Sequence, residues 1–264
     1  MYRTKVKVLW LASTILKRLR YAPRKIISRS ELLTLINQIR PINNGFELIR
    51  MGGMGDGSYL LPNDLEGISA LISPGIGVSR RFEDELYNQF KINSILVDPF
   101  VAPSHLNEGD KYIRTLVAST TNSSSISLED LIRISPPGDL MLQMDIESGE
   151  YEALFATNDL NLLRFRIIIV EFHRIDHWLD KVQFELFIKP LFERILSNFD
   201  VVHIHPNTST GYFKIGDIKF PRFAEFTFHR KDRFRTLGSD RPIPHELDTL
   251  TSSLDKNTRW FFSR

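Results

Sequence analysis

The 264-residue chain has no cysteine, which excludes disulfides and thiolate metal sites and fits a reducing cytoplasm. Any metal must be held by carboxylates or imidazoles. An apolar run long enough to cross a bilayer is also missing from the amino end: the stretch Val8 to Leu16 falls well short of the roughly 20 residues required. No internal repeat is visible, and the only low-complexity segment is the short polar run Ser119 to Ser127. Acid is absent from residues 1–30, which hold nine Lys or Arg, so the other 234 carry 25 bases against 32 acids, a net of −7 beneath an overall +2. An acidic domain repels phosphate backbones, which argues against nucleic acid as a partner.

What is present fits one large α/β domain. Hydrophobic residues make up 42% of the chain, enough for a sizeable core at this length. Three regions follow from composition: a basic helical arm over residues 1–40, a domain over 41–235 and an extension over 236–264. In the arm, Val8, Leu11, Ile15 and Leu19 recur at helical spacing among Lys5, Lys7, Lys17, Arg18 and Arg20. Such a helix suits peripheral contact of residues 1–25 with anionic lipid, which would put a cytoplasmic protein at the inner face of the membrane. It equally suits docking on the chain's own domain. The basic-then-apolar start also admits a signal peptide, without a clear small-residue cleavage site.

From Ser30 to Arg40 an N-cap serine and the spacing of Leu32, Leu33, Ile36 and Ile39 predict a helix stopped by Pro41. Phe46 to Arg50 reads as a strand, followed by Gly52, Gly53, Gly55 and Gly57 and a second strand from Tyr59 to Leu61. Either the glycines bring a ligand to Asp56 and Tyr59, or they make a hairpin turn. Ile68 to Ser73, the turn Pro74-Gly75-Ile76-Gly77, helix Arg81 to Phe90 and strand Ser94 to Asp98 then form a βαβ unit. In such units glycines admit a nucleoside and a strand-ending acid receives its ribose hydroxyls, which assigns Gly75, Gly77 and Asp98 to a cofactor. An ordinary tight turn ending in an acid is the plainer alternative.

The remaining elements are a helix capped by Ser127, strands Leu140 to Asp145 and Ile167 to His173, a helix Lys181 to Ser197 kinked at Pro190, a strand Val201 to His205, a polar loop Asn207 to Gly216 and a last strand Phe223 to Phe228. Two of these are short apolar runs ending in acids, LMLQMDIESGE and IIIVEFH, as expected of strands buried on both faces whose carboxyl ends line a crevice. Asp145 and Glu147 are two apart, as are Glu171 and His173, so each pair projects to one side of its strand. Glu150 and Glu152 fall in the first turn of a following helix, where acids favour the dipole. His203 and His205 share a side of theirs.

From about Gly45 to Arg230 the chain resembles the FkbM-type family of S-adenosylmethionine-dependent methyltransferases. The matching residues are DGSYLLP at Asp56, SPGIG at Ser73, FE at Phe82, LVDP at Leu96, SL at Ser127, MDIESGEYEAL at Met144, FRIIIVEFH at Phe165, HIHPN at His203 and EFTF at Glu225. Ser148 stands where the family has glycine. The resemblance implies a class I, Rossmann-like, doubly wound sheet, mostly parallel with the last strand antiparallel, and O-methylation of a sugar or glycan hydroxyl in polysaccharide or natural-product assembly.

It also implies a cofactor site of Ser73, Gly75, Gly77, Glu83, Asp98, Pro99 and Asp145, with Asp56, Tyr59, Glu147 and Asn207 toward the acceptor. His173 is expected as the base, with Asp145 and Glu171 beside it and His205 as the competitor. Asp145, Glu171 and Glu225 offer a site for Mg²⁺ or Mn²⁺, and either histidine also suits a metal. Two other classes remain open. A nicotinamide-dependent oxidoreductase would use the same turn and acid but needs glycine where Arg80 stands, and a non-catalytic glycan-binding protein would need no cofactor pocket.

Overall fold

A computed structural model describes residues 25–77, 79–215, 218–235 and 238–248. The expected amphipathic helix of the arm, and with it the lipid-contact segment up to residue 24, lies outside the described residues. Among those described, no helix is long and apolar enough to cross a membrane.

Helix α1, Arg29–Gln38, begins two residues earlier than expected, with Ser28 as its cap. The reason is reciprocal bonding: Ser28 Oγ accepts from the Glu31 amide at 3.2 Å while Glu31 Oε2 accepts from the Ser28 amide at 2.8 Å, whereas Ser30 has leucine three residues on. Such a cap contributes about 1 kcal/mol. Leu32, Leu35 and Ile36 of α1 are buried in the main core, so this helix belongs to the domain's packing.

The strands are β1 Leu48–Met51, β2 Tyr59–Pro62, β3 Ile68–Pro74, β4 Ser94–Val97, β5 Lys111–Ile113, β6 Leu116–Ala118, β7 Ser125–Ser127, β8 Asp139–Met144, β9 Phe165–Phe172, β10 Phe199–Ile215 and β11 Ile218–Arg230. Seven of them form one sheet in the order β10-β11-β9-β8-β3-β4-β5. The run from β9 to β5 is parallel, and β11 is antiparallel to both β9 and β10. The fold is therefore mixed α/β with a mostly parallel sheet, compatible with a Rossmann-like arrangement.

Burial explains the continuous apolar runs. All eight residues of β9 are buried, and they alternate between two cores: Ile168 and Val170 pack with α1 and with helices α3, Leu128–Ile134, and α4, Glu150–Ala156, while Ile167 and Ile169 pack with Tyr59, Leu61, Phe82 and Leu86. The second group comes from the β1–β2 hairpin and from α2, Arg81–Phe90. The glycine-rich segment is thus a hairpin turn, and Gly52 and Gly57 are required there because both have positive φ and a Cβ on Gly52 would sit 2.4 Å from the Gly57 carbonyl.

Two expected elements differ. The helix over 181–197 is broken into a short turn Lys181–Gln183, a π-helical turn Phe184–Ile188 and helix α5, Lys189–Asn198. Pro190 has no amide hydrogen for the usual bond four residues back, and the wider turn absorbs that mismatch. The polar loop expected from Asn207 is instead the continuation of β10, paired with β11 through Asn207–Phe223, Tyr212–Pro221 and Phe213–Phe220 across an irregularity. The Phe213 and Phe220 rings stack at 5.1 Å, so cross-strand packing outweighs the low strand propensity of that polar stretch.

Sheet order places the site. The chain runs outward from β3 to β4 and β5, then returns to the other side of β3 as β8 and continues to β9. The carboxyl ends of β3 and β8 therefore flank a topological switch point, where open α/β sheets bind ligands.

Candidate functional site

Two backbone turns meet at the switch point. Gly75 follows β3 with φ +79°, and a Cβ there would lie 1.7 Å from the Asp145 carbonyl oxygen. Gly75 is thus glycine because protein backbone touches it, a different reason from the ligand approach expected. Gly77, also at positive φ, has nothing within 4 Å of an added Cβ, so its face is open. Asp98, just past β4, is buried, and its Oδ1 accepts from the Phe100 and Val101 amides at 2.8 and 2.7 Å. One oxygen of the carboxylate is thus committed to its own loop. Pro99 follows in the same loop, its carbonyl accepting from Arg114 Nε at 3.3 Å.

Ser73 and Glu83 lie underneath, both buried. Ser73 Oγ is 2.7 Å from Glu83 Oε1 and 2.9 Å from Gln143 Oε1, while Glu83 Oε2 has no partner among the described residues. Burial raises the Glu83 carboxyl above its ordinary range. These two side chains support the turn from below. Arg80 stands where a dinucleotide fingerprint has its third glycine, and its buried guanidinium is 2.7 Å from Asp110.

The acids form a row across adjacent strands. Glu225 of β11 lies directly opposite Glu171 of β9 on one side and His205 of β10 on the other, and directly opposed residues share a face. Asp145 continues the row, because it follows Met144, which pairs with Val170. Glu225 sits in the middle of its strand, because β11 begins at Ile218, ahead of the expected Phe223. Burial, then the charges of Glu171 and Asp145 working against His205, pushes it up to about 8. Asp145 is also pushed up to about 8, by burial and then by Glu171.

His173 turns into this row from the end of β9. Its Nδ1 is 3.0 Å from Glu150 Oε1 and 3.2 Å from the Glu171 carbonyl, so Nδ1–H donates and Nε2 is left to face Asp145 Oδ1 at 3.7 Å and Glu147 Oε2 at 3.5 Å. Burial opposes its charge, but Glu150, Glu171 and Asp145 outweigh that and push the imidazole up to about 9. The Phe223 ring packs on it at 4.5 Å.

Glu150 and Glu152 fall in the first turn of α4, as their position predicts. What the sequence does not show is that Glu150 is fully buried and accepts from the Ile146 and Ser148 amides at 3.0 and 3.1 Å as well as from His173. Glu152 has a different fate, accepting from Ser119 Oγ at 2.5 Å. Glu147 is exposed at φ +58°, and Ser148 is held at φ +92°.

The histidine pair on β10 behaves differently from His173. His203 and His205 do share a side, and both engage Asp248 Oδ1, at 2.9 and 3.3 Å. Asp248 comes from the carboxyl-terminal extension, and nothing in the sequence pattern pointed to it. Burial lowers His203, whereas Asp248 and Glu225 outweigh burial and raise His205. Glu225 stands between His205 and the cluster at Asp145.

Asn207 Nδ2 donates to Glu171 Oε1 at 3.0 Å, bringing Asn207 into the site from β10. Asp56 is exposed in the hairpin turn, and Tyr59 is buried with its hydroxyl accepting from Gln143 Nε2 at 2.9 Å. Among the described residues, Asp145, Glu171 and His173 each bring one donor atom to within 4.8 Å of the others. Glu225, the expected third metal ligand, is not in that group. Hollows of about 300 and 320 Å³ lie elsewhere, near Arg40 and Lys231 and at the amino ends of β3 and β4.

No protein-family model, curated protein or solved structure matches the chain.

Proposed function

We propose that the protein is an S-adenosylmethionine-dependent O-methyltransferase acting on a hydroxyl of a sugar or glycan. The observation that carries this reading is the backbone contact of Gly75 with Asp145, which sets the glycine turn directly beside the acid–imidazole cluster at the switch point. On the cofactor wall, the open face at Gly77 and the second oxygen of Asp98 suit a nucleoside. When bound, S-adenosylmethionine supplies a methyl group on a sulfonium centre, which needs alignment more than covalent activation.

On the other wall, Asp145, Glu147, Glu171 and Glu225 present carboxyl oxygens as hydrogen-bond partners to the hydroxyls of a neutral polyol. Removing the acceptor's proton falls to the cluster of Asp145, Glu171 and His173, in which the imidazole, held protonated by Glu150, Glu171 and Asp145, accepts at Nε2 only above a pH of about 9. Glu150 positions the ring by holding Nδ1.

Calorimetry with S-adenosylhomocysteine tests the reading. The wild type should bind it, and Asp98→Ala should weaken binding by about 1.5 to 3 kcal/mol, the scale of hydrogen bonds to a charged group. Binding of NADH in its place would select a nicotinamide-dependent oxidoreductase, and binding of neither would leave the non-catalytic glycan-binding reading.

A further inference from the structure

We infer that Asp145, Glu171 and His173 bind one divalent cation of the Mg²⁺ or Mn²⁺ class, which grips the acceptor's hydroxyls. The inference deepens the methyltransferase reading and rests on it for its purpose. The donor atoms stand within 4.8 Å of one another, with His173 Nε2 3.7 Å from Asp145 Oδ1. Donors around an octahedral cation at about 2.1 Å are spaced about 3 Å in cis and about 4.2 Å in trans, so small side-chain rotations close the set. Two carboxylates and one imidazole suit Mn²⁺ and Mg²⁺ better than soft metals.

A second, independent feature is the support behind the donors. A metal-ligating imidazole normally gives its other N–H to a carboxylate, and ligating carboxylates are themselves hydrogen-bonded. Both conditions are met: Glu150, with no exposed surface, holds His173 Nδ1 at 3.0 Å, and Asn207 donates to Glu171 Oε1 at 3.0 Å. Asp145 keeps 31% of its side chain exposed, so the site has an open side, where acceptor oxygens and water would complete the coordination. A cation there would lower the pKa of a bound hydroxyl, whose proton would pass to solvent as the oxygen took the methyl carbon and the carbon–sulfur bond of the sulfonium broke, leaving the neutral thioether.

The test is Mn²⁺ titration of the full chain, read as loss of the free-ion electron paramagnetic resonance signal, with circular dichroism to check folding. The expected result is one saturable site that Mg²⁺ displaces, weakened at least 100-fold in Glu171→Gln and about tenfold in Asn207→Ala, the scale for a supporting residue. No saturable site, or one indifferent to both substitutions, would overturn the inference. Performing the same titration with and without S-adenosylhomocysteine separates the two readings: nucleoside binding without Mn²⁺ binding removes the cation alone, and Mn²⁺ binding without nucleoside binding keeps the cation site and removes methyl transfer.

Discussion

Acidification should destabilise the protein through a histidine far from the crevice. His229, near the other end of β11, has no exposed surface; its Nε2 is 3.0 Å from Asp64 Oδ2 and its Nδ1 is 2.9 Å from Asn44 Nδ2. With the Asn44 amide donating to Nδ1, the ring is the neutral Nε2–H tautomer and donates to Asp64. Burial, with Arg233 and Arg166 nearby, outweighs Asp64 and pushes its pKa down to about 4, against an ordinary 6.5. The unfolded chain therefore takes up a proton that the folded chain refuses. Stability from this group is complete above about 6.5 and drains away as pH falls toward 4. A gap of about 2.5 pH units at about 1.36 kcal/mol each is worth roughly 3.4 kcal/mol in all, of which about 2 kcal/mol is lost between pH 7 and 5. Urea unfolding at both pH values, compared with His229→Gln, isolates the effect, because the variant keeps every other titrating group. Wild type should lose about 2 kcal/mol more than the variant; equal losses would refute the argument.

Other outcomes follow from local geometry. Ser148→Gly should raise stability by about 1 kcal/mol, since φ +92° costs a serine of order 1 to 3 kcal/mol and glycine's extra unfolded-state entropy returns part of the gain; urea unfolding that shows no gain would mean the turn carries no strain. Gly75→Ala should abolish cooperative unfolding by forcing the Asp145 turn away, while Gly77→Ala should leave the fold within about 1 kcal/mol of wild type and weaken S-adenosylhomocysteine binding in calorimetry. Deleting residues 1–25 should abolish co-sedimentation with anionic liposomes at low salt and leave nucleoside affinity intact; full-length protein that ignores such liposomes would assign the bases another purpose.

The sequence by itself determined the elements whose causes are local. Helix α2 falls at Arg81–Phe90 as its spacing predicts, Ser127 caps its helix by accepting from the Asp130 amide at 3.1 Å, and the apolar runs before Asp145 and Glu171 are central strands. Periodicity and caps act over a few residues, so one chain suffices to read them. Where long-range pairing competed, local reading failed: β10 continues through a polar stretch because β11 lies beside it.

Only the tertiary structure decided how the chemistry assembles. The row from His205 through Glu225 and Glu171 to Asp145 exists because β11 inserts between β9 and β10, an order no spacing encodes. Glu150 became the partner of His173 because the Glu147-Ser148 turn, both residues at positive φ, folds the start of α4 back against the end of β9. Asp248 reaches His203 across 45 residues of sequence. In each case the deciding physics is the cost of burying charge: acids brought together away from water must find a proton, a cation or a donor, and which one is set by neighbours that the linear order keeps apart.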